Sequence, residues 1–110
     1  MKCLDDCHTY EMDTFLNEGM HPGEYHQAFK AFLGFYEMRE DGTKIDGVTN
    51  EEVLRVLIHR LKFLNEEWQN GKFHCVENEM AILSLKKALD WLEERTEKRI
   101  SKGVEGTHQP

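Results

Sequence analysis

The fold is decided by a stretch that predicts one long amphipathic helix, TNEEVLRVLIHRLKFLNEEWQNG, residues 49–71. Thr49 and Glu52 are spaced as a capping box, in which each side chain accepts from a backbone N–H that a helix start leaves unpaired. Apolar residues then recur at three- and four-residue steps and so share one helix face: Leu54, Leu57, Leu61, Leu64 and Trp68. The pair Asn70-Gly71 is a typical helix stop.

A second amphipathic helix is predicted after a short connection, within ENEMAILSLKKALDWLEERTEKRISKG, residues 77–103. We expect Asn78 to cap its start near Glu77 and Gly103 to end it. Its apolar stripe and the flanking alanines are Ile82, Leu85, Leu89, Leu92 and Thr96 with Ala81 and Ala88. Two such helices joined by a short connection form an antiparallel hairpin. One broad apolar face is left over, so we expect a β-hairpin, a second copy of the chain, or both to cover it.

The segment before the helices predicts a small β-hairpin. An aromatic-rich arm, residues 25–38, leads towards Asp41-Gly42, a pair preferred in tight turns, and residues 44–46 form the return strand. A helix is the alternative for the first arm, because four of its apolar residues would also share a helix face: Phe29, Phe32, Leu33 and Tyr36.

The first 24 residues show little periodicity and end in a breaker cluster at residues 19–23. We interpret residues 1–24 as a variable N-terminal extension, with helical turns around Tyr10 to Leu16, and residues 25–110 as a single domain. The predicted fold class is α+β and mainly α. It consists of an antiparallel two-helix hairpin with a small N-terminal β-hairpin, in a dimer or higher oligomer.

The balance of charge excludes a protein that coats nucleic acid, because the net charge is -7 at pH 7. The charge is uneven, however. Residues 1–83 carry 8 basic and 16 acidic side chains, and residues 84–110 carry 6 and 5. An anionic ligand is therefore expected at a local site near the second helix. No apolar run approaches the ~20 residues of a membrane span, and the acidic N-terminus does not resemble a signal peptide, so we expect a soluble cytoplasmic protein.

The sequence lacks a convincing catalytic constellation, so we predict a non-enzymatic protein without cofactor or metal. Its 6 histidines are scattered and none has the HExxH spacing, and no Gly-rich phosphate loop is present. Cys3, Cys7 and Cys75 cannot all pair, and a reducing compartment accounts for them. A metal cluster of Cys3, Cys7 and His8 is the alternative, but no second ligand pair at zinc spacing follows.

The end of the second predicted helix carries the candidate ligand site. Arg95, Arg99 and Lys102 are spaced four and three residues apart and so share one side, and Trp91 lies one turn earlier. Cations beside an indole face suit a diphosphate or a cyclic phosphodiester with a stacked base. The segment that follows adds backbone amides and a hydroxyl: Gly103, Val104, Gly106 and Thr107.

Ordinary helix-end chemistry is the alternative interpretation of the same residues. The macrodipole favours cations at any helix C-terminus, and Glu94 with Lys98 makes a common i,i+4 pair. Trp91 would then belong to the core. The residues alone leave both interpretations open.

Residues 77–110 resemble the C-terminal half of a phage protein family, the hairpin-domain sponges of the Thoeris anti-defence and anti-CBASS type. The likeness extends to residues 45–64 and leaves out the N-terminal third. The chain departs from the family pattern at Lys86 and Lys87, where acidic residues are expected, and at His74, where proline is expected. The matching residues are Glu77, Asn78, Ala81, Ile82, Leu85, Leu89, Trp91, Leu92, Arg95, Thr96, Arg99, Lys102 and Gly103 to Thr107.

The resemblance implies a protein that binds a cyclic nucleotide messenger of bacterial immunity without cleaving it, in the cytoplasm of the infected host cell. Family ligands include cyclic ADP-ribose isomers and cyclic di- or trinucleotides, held by dimers or hexamers with pockets between subunits. Arg95, Arg99 and Lys102 would bind phosphate, and Asn78 would contact the ligand or the neighbouring chain. The ammonium group of Lys102 is a point charge and lacks the planar geometry by which an arginine guanidinium binds phosphate through two hydrogen bonds. The identity of the ligand therefore stays open. The alternative function is a dimeric helical-hairpin interaction module without a small-molecule ligand.

Overall fold

The computed structural model describes residues 1–5, 8–14 and 31–103, and the chain forms two compact units, Met1–Val48 and Thr49–Pro110. The strands of the first unit are β1 Lys2–Leu4, β2 Thr9–Met12, β3 Ala31–Gly34, β4 Glu37–Met38 and β5 Lys44–Ile45. The second unit contains helix α1 Asn50–Glu66, a 3-10 turn Trp68–Gly71 and helix α2 Val76–Ser101. The predicted α+β, mainly α fold class is confirmed, and no described helix is long and apolar enough to cross a membrane.

The first unit is built from two small antiparallel sheets. Strands β1, β2 and β3 form one sheet in that order, with Tyr10 opposite both Cys3 and Leu33. Strands β4 and β5 form the other, around a turn in which Gly42 has φ +88° and the Thr43 N–H donates to Asp41 Oδ1 at 2.8 Å. The hydrogen bonds from Thr43 lower the pKa of the Asp41 carboxyl.

The predicted hairpin is therefore confirmed at its turn but is shorter than expected. Its first arm is divided, because Ala31–Gly34 pairs with β2 and only Glu37–Met38 pairs with β5. The helical alternative is wrong for the described residues of this arm, which form the strands Ala31–Gly34 and Glu37–Met38 and include no helical turn. Residues 25–30 and the predicted division at residue 24 lie outside the described residues.

The prediction of helical turns around Tyr10 is wrong for Tyr10–Met12, which lie in β2. The reason is that β2 is the central strand of its sheet, and pairing on both sides outweighs weak local helix preference. Residues 15 and 16 lie outside the described residues.

The cysteines differ from the reduced thiols that a reducing compartment would hold. Cys75 is a free thiol, and Cys3 is disulfide-bonded.

Local signals fix the ends of α1. The Thr49 hydroxyl accepts from the Glu52 N–H at 3.1 Å, as predicted, whereas the Glu52 carboxylate accepts from Arg55 Nη1 at 3.1 Å. The helix ends at Glu66, earlier than the predicted Asn70-Gly71 stop. Three consecutive positive φ angles, of Gln69 at 49°, Asn70 at 59° and Gly71 at 77°, then reverse the chain.

Helix α2 begins and ends close to the predicted residues. It starts at Val76 with Cys75 in the cap position, so the prediction that Asn78 caps this helix is wrong. The side chain of Asn78 instead donates to the carbonyl oxygen of Phe73, at 3.0 Å. The predicted stop at Gly103 is confirmed, since the helix ends at Ser101 and Gly103 takes φ +71°.

The two helices pack antiparallel, but they bury little. Only Ile82, at 7% exposure, and Asn65, at 2%, are buried among the described residues. The other members of the predicted α2 stripe lie half-buried on the face towards α1: Leu85, Leu89, Leu92 and Thr96. Leu57 and Trp68 of the predicted α1 stripe are both 43% exposed, so that stripe is only partly covered within one chain.

Candidate functional site

The C-terminal end of α2 places the predicted cations on one side. Each residue of an α-helix turns by about 100°, so Trp91, Arg95, Arg99 and Lys102 fall within an arc of about 80°. Arg99 is half-buried and Lys102, at the C-cap, is exposed. Trp91 is 67% exposed, so the alternative that its indole belongs to the core is wrong. An exposed indole one turn before Arg95 can stack on a base while the cations bind phosphate.

Acidic side chains of α1 approach this cluster. Arg95 Nη2 lies 3.8 Å from Glu51 Oε1, and the Glu51 side chain is only 15% exposed. Arg55 donates to Glu52 at 3.1 Å and to Glu93 at 3.3 Å, and the bond to Glu52 is the main reason its pKa is raised. The positive end of the α1 dipole lies at this same end of the hairpin. The site is therefore a mixed network of charges in which a ligand anion would compete with carboxylates.

One predicted feature of ordinary helix-end chemistry is also present. Lys98 Nζ lies 3.3 Å from Glu94 Oε1, in the i,i+4 pair expected from the sequence. Both side chains are largely exposed, and exposed pairs of this kind contribute little to stability. The pair leaves the role of Arg95, Arg99 and Lys102 open.

Asn78 lies at the opposite end of α2. It is seventeen residues before Arg95, which at 1.5 Å per residue is about 25 Å along the helix axis. Its Nδ2 donates to the Phe73 carbonyl oxygen at 3.0 Å and approaches Asn65 Oδ1 at 3.4 Å. Asn65 Oδ1 also accepts from the Cys75 N–H at 3.0 Å. Within one chain, Asn78 therefore lies too far from Arg95 to contact the same ligand.

The polar cluster around Asn65 was missed by the sequence reasoning. The signal was an asparagine four residues after Leu61, on the apolar stripe of α1. Such a position predicts a buried polar residue with a hydrogen-bond partner across the hairpin.

The remaining predicted site residues are only partly described. Gly103 is exposed with φ +71°, and Val104, Gly106 and Thr107 lie outside the described residues. His74 Nε2 lies 2.9 Å from Glu79 Oε1 on the surface. Among the described residues, no group of three His, Cys, Asp or Glu side chains is placed to hold a metal ion.

Helix α1 presents a shallow groove that the sequence did not predict. All of its described lining residues come from this one helix. They are Glu52, Arg55, Val56, His59, Arg60 and Phe63. Arg55 and Arg60 make it a second place where an anion could bind.

Comparison with known proteins gives one informative match. No family model matches the chain. A curated protein of Bacillus phage SBSphiJ7, named Thoeris anti-defense 1, is 47% identical to it over 64 residues. The chain resembles the Thoeris anti-defence proteins. The likeness to Thoeris anti-defence proteins inferred from the residues is thus confirmed, although the match covers 58% of the chain and only 42% of that relative.

Proposed function

We propose that this chain is a phage anti-defence protein that sequesters a cyclic nucleotide immune signal, without cleaving it, in the cytoplasm of the infected bacterium. The observation that carries the proposal is the 47% identity to a Thoeris anti-defence protein over 64 residues. The ligand class is a cyclic ADP-ribose isomer, a cyclic oligonucleotide, or both. All of these carry phosphates and at least one base.

The end of α2 has the chemistry that such a ligand requires. Arg95, Arg99 and Lys102 can make charge-assisted hydrogen bonds to phosphate oxygens, and the exposed indole of Trp91 can stack on a base. A dissociation constant near 100 nM corresponds to about 10 kcal/mol. A few desolvated Arg–phosphate contacts and one stacked base can supply most of that energy. Sequestration needs a slow off-rate and no proton-transfer residue.

Homo-oligomerisation, as a dimer or hexamer, is part of the proposal. The described residues of one chain include only one buried hydrophobic side chain, Ile82, and a helical hairpin of this length cannot enclose a dinucleotide alone. Several large apolar side chains are exposed on the helices instead. A second copy would both cover that surface and add walls to the site.

Calorimetric titration with cyclic ADP-ribose, its isomers and cyclic di- and trinucleotides tests this function. The wild-type protein should bind at least one of them below about 1 μM, and Arg99→Glu should weaken that binding by roughly 30- to 100-fold. Arg60→Glu, in the groove of α1, is the matched control and should bind as the wild type does. No binding below about 10 μM would refute sequestration of these ligands. Equal loss in the two variants, or loss in Arg60→Glu alone, would refute the assignment to α2.

A protein-interaction module without a small-molecule ligand is the second candidate. It is favoured by one observation, the exposed apolar residues of α2, of which Trp91 at 67% is the most exposed. Under this function Arg99→Glu would leave anti-defence activity unchanged in infected cells, and substitution of the exposed apolar residues would abolish it. Under sequestration, Arg99→Glu abolishes the activity.

A further inference from the structure

The connection between the two helices contains the pair Asn70-Gly71, which is chemically reactive. The backbone nitrogen of the residue that follows an asparagine can attack the carbon of the side-chain amide. A glycine in that place has no side chain to hinder the approach. Every other asparagine in the chain is followed by glutamate. Asn70 is therefore the asparagine at which this attack meets the least steric resistance.

The side chain of Asn70 is open to this reaction. Asn70 is exposed, and its side-chain amide has no hydrogen-bond partner among the described residues. Its backbone N–H donates to the carbonyl oxygen of Glu67 at 3.2 Å, so the main chain is held while the amide can turn. By contrast, Asn65 is only 2% exposed, and its Oδ1 accepts from the Cys75 N–H.

Asn70 has a backbone conformation that is unfavourable for residues with a side chain. Its φ and ψ are 59° and 34°, and those of Gln69 are 49° and 45°. The left-handed region brings Cβ close to the following carbonyl oxygen, which strains every residue except glycine. Ring closure requires a rotation about ψ of Asn70 that brings the Gly71 nitrogen to the side-chain carbonyl carbon. Opening of the turn therefore relieves the strain and permits the reaction.

The pair Asp41-Gly42 has the same following glycine but is protected. Attack on an aspartate side chain needs the protonated carboxyl group, because a carboxylate is a poor electrophile. The Thr43 N–H donates to Asp41 Oδ1 at 2.8 Å, and the hydrogen bonds from Thr43 lower the pKa of the Asp41 carboxyl. These bonds keep Asp41 ionised and hold it in place. The amide of Asn70 carries no charge and has no such contact.

We propose that Asn70 is a site of spontaneous deamidation. The Gly71 nitrogen gives up its proton and forms a bond to Cγ of Asn70. The bond from Cγ to Nδ2 then breaks, ammonia leaves with the proton, and a succinimide ring remains in the chain. Water opens this ring at either carbonyl carbon. Opening at Cγ gives aspartate, and opening at the main-chain carbonyl gives isoaspartate, in which the main chain runs through Cβ. The reaction consumes one water and releases one ammonia.

Either product changes the junction of the two helices. A carboxylate at position 70 adds negative charge close to Glu66 and Glu67, at the end of α1 where the helix dipole is also negative. Isoaspartate also adds one atom to the main chain within a run of three left-handed residues. The hydrogen bond from the Cys75 N–H to Asn65 Oδ1, at 3.0 Å, spans this junction. We therefore expect deamidation to weaken that bond and lower the stability of the helical hairpin.

Peptide mass mapping of the full chain, incubated in mildly alkaline buffer, tests the modification. Asn70 should gain the mass of an –NH2 to –OH exchange on the order of tenfold faster than Asn78, because glycine leaves the attacking nitrogen unhindered. The same peptide should become a substrate for an isoaspartyl carboxyl methyltransferase. Asn70→Gln is the matched control, since its longer side chain disfavours the five-membered ring, and it should show neither change. Far-UV circular dichroism should show that this variant keeps its helix content.

Two results of that mapping would overturn the proposal. One is an unaltered Asn70 in the chain while a synthetic peptide of residues 66–74 reacts in the same buffer. The other is an equal rate at Asn70 and Asn78.

Urea unfolding tests the effect on the junction. Incubated wild type should unfold at a lower urea concentration than fresh wild type, whereas incubated Asn70→Gln should match its own fresh sample. Asn70→Asp, measured fresh, carries the added charge without the added main-chain atom and should fall between fresh and incubated wild type. Equal midpoints for fresh and incubated wild type, after mapping has shown deamidation, would overturn the effect on stability.

Discussion

Arg95 and Glu51 join the two helices at the candidate site, with Nη2 of the arginine 3.8 Å from Oε1 of the glutamate. Glu51 is the more enclosed partner, at 15% exposure against 55% for Arg95. The pair orients the guanidinium before any ligand arrives, but it also occupies one of its faces. Under the proposed function, binding a phosphate would exchange one anion for another at Arg95, and the carboxylate would limit the affinity.

Glu51→Gln should strengthen ligand binding by roughly two- to fivefold, because it removes the competing charge and keeps the shape of the side chain. The cost in stability should be below about 1 kcal/mol, since the partner guanidinium is more than half exposed. Titration calorimetry and urea unfolding measure the two effects. Glu94→Gln, whose carboxylate pairs with Lys98, is the control and should leave affinity unchanged within a factor of about two. Weaker binding by Glu51→Gln would show that the carboxylate assists the ligand.

Thr49→Ala should lower the free energy of unfolding by about 1 kcal/mol, because the helix start loses the bond from the Glu52 N–H to the Thr49 hydroxyl. Thr49→Ser keeps that acceptor and should cost less than half as much. Urea unfolding followed at the helix signal measures both. Equal costs for the two variants would mean that the Thr49 methyl group, and not the hydroxyl, stabilises α1.

Asn65→Ala should be among the most destabilising single changes in the helical hairpin, by about 2–3 kcal/mol, since it leaves the Cys75 N–H without its acceptor. Asn78→Ala removes a donor from the same oxygen but leaves the bond from Cys75 intact, so it should cost about 1 kcal/mol. Thermal unfolding of the two variants gives the order directly. The reverse order would contradict the part assigned to Asn65.

Gly47→Ala should disturb the first unit more than Gly42→Ala. A methyl group at Gly47 would overlap the carbonyl carbon of Phe35 and lie 2.6 Å from the backbone nitrogen of Tyr36. Both neighbours are backbone, so the strands must move, at a cost of about 2 kcal/mol or more. At Gly42 the space is open and only the positive φ is unfavourable, at about 1 kcal/mol. Amide exchange across β3 and β5 measures the difference, and equal protection in both variants would contradict the close contact at Gly47.

The sequence predicted the helices well because their signals are local. Thr49 caps α1 by accepting from the N–H of Glu52, three residues later. Gly103 ends α2 through its own positive φ angle. The three-stranded sheet was missed because Tyr10 pairs with Leu33, twenty-three residues later, and such pairing leaves no short-range pattern.

The candidate site was predicted only in part for a related reason. Helical spacing places Trp91, Arg95, Arg99 and Lys102 on one side whatever surrounds them. The carboxylate of Glu51 beside Arg95, and the contact between Asn78 and Asn65, depend on how α1 lies along α2. The spacing of apolar residues along the sequence does not predict that arrangement of the two helices. Because apolar residues lie on two faces of α2, the sequence also did not show whether Trp91 faces α1 or solvent.

Recovery of the intact ligand is the most direct test of sequestration. The protein is loaded with the cyclic nucleotide that binds in the titration, freed of excess ligand by gel filtration, heated to unfold it, and the released compound is identified by mass spectrometry. Our account predicts release of the unaltered cyclic nucleotide, in an amount proportional to the protein and much reduced for Arg99→Glu. A linear or hydrolysed product, or the absence of any retained nucleotide, would contradict it.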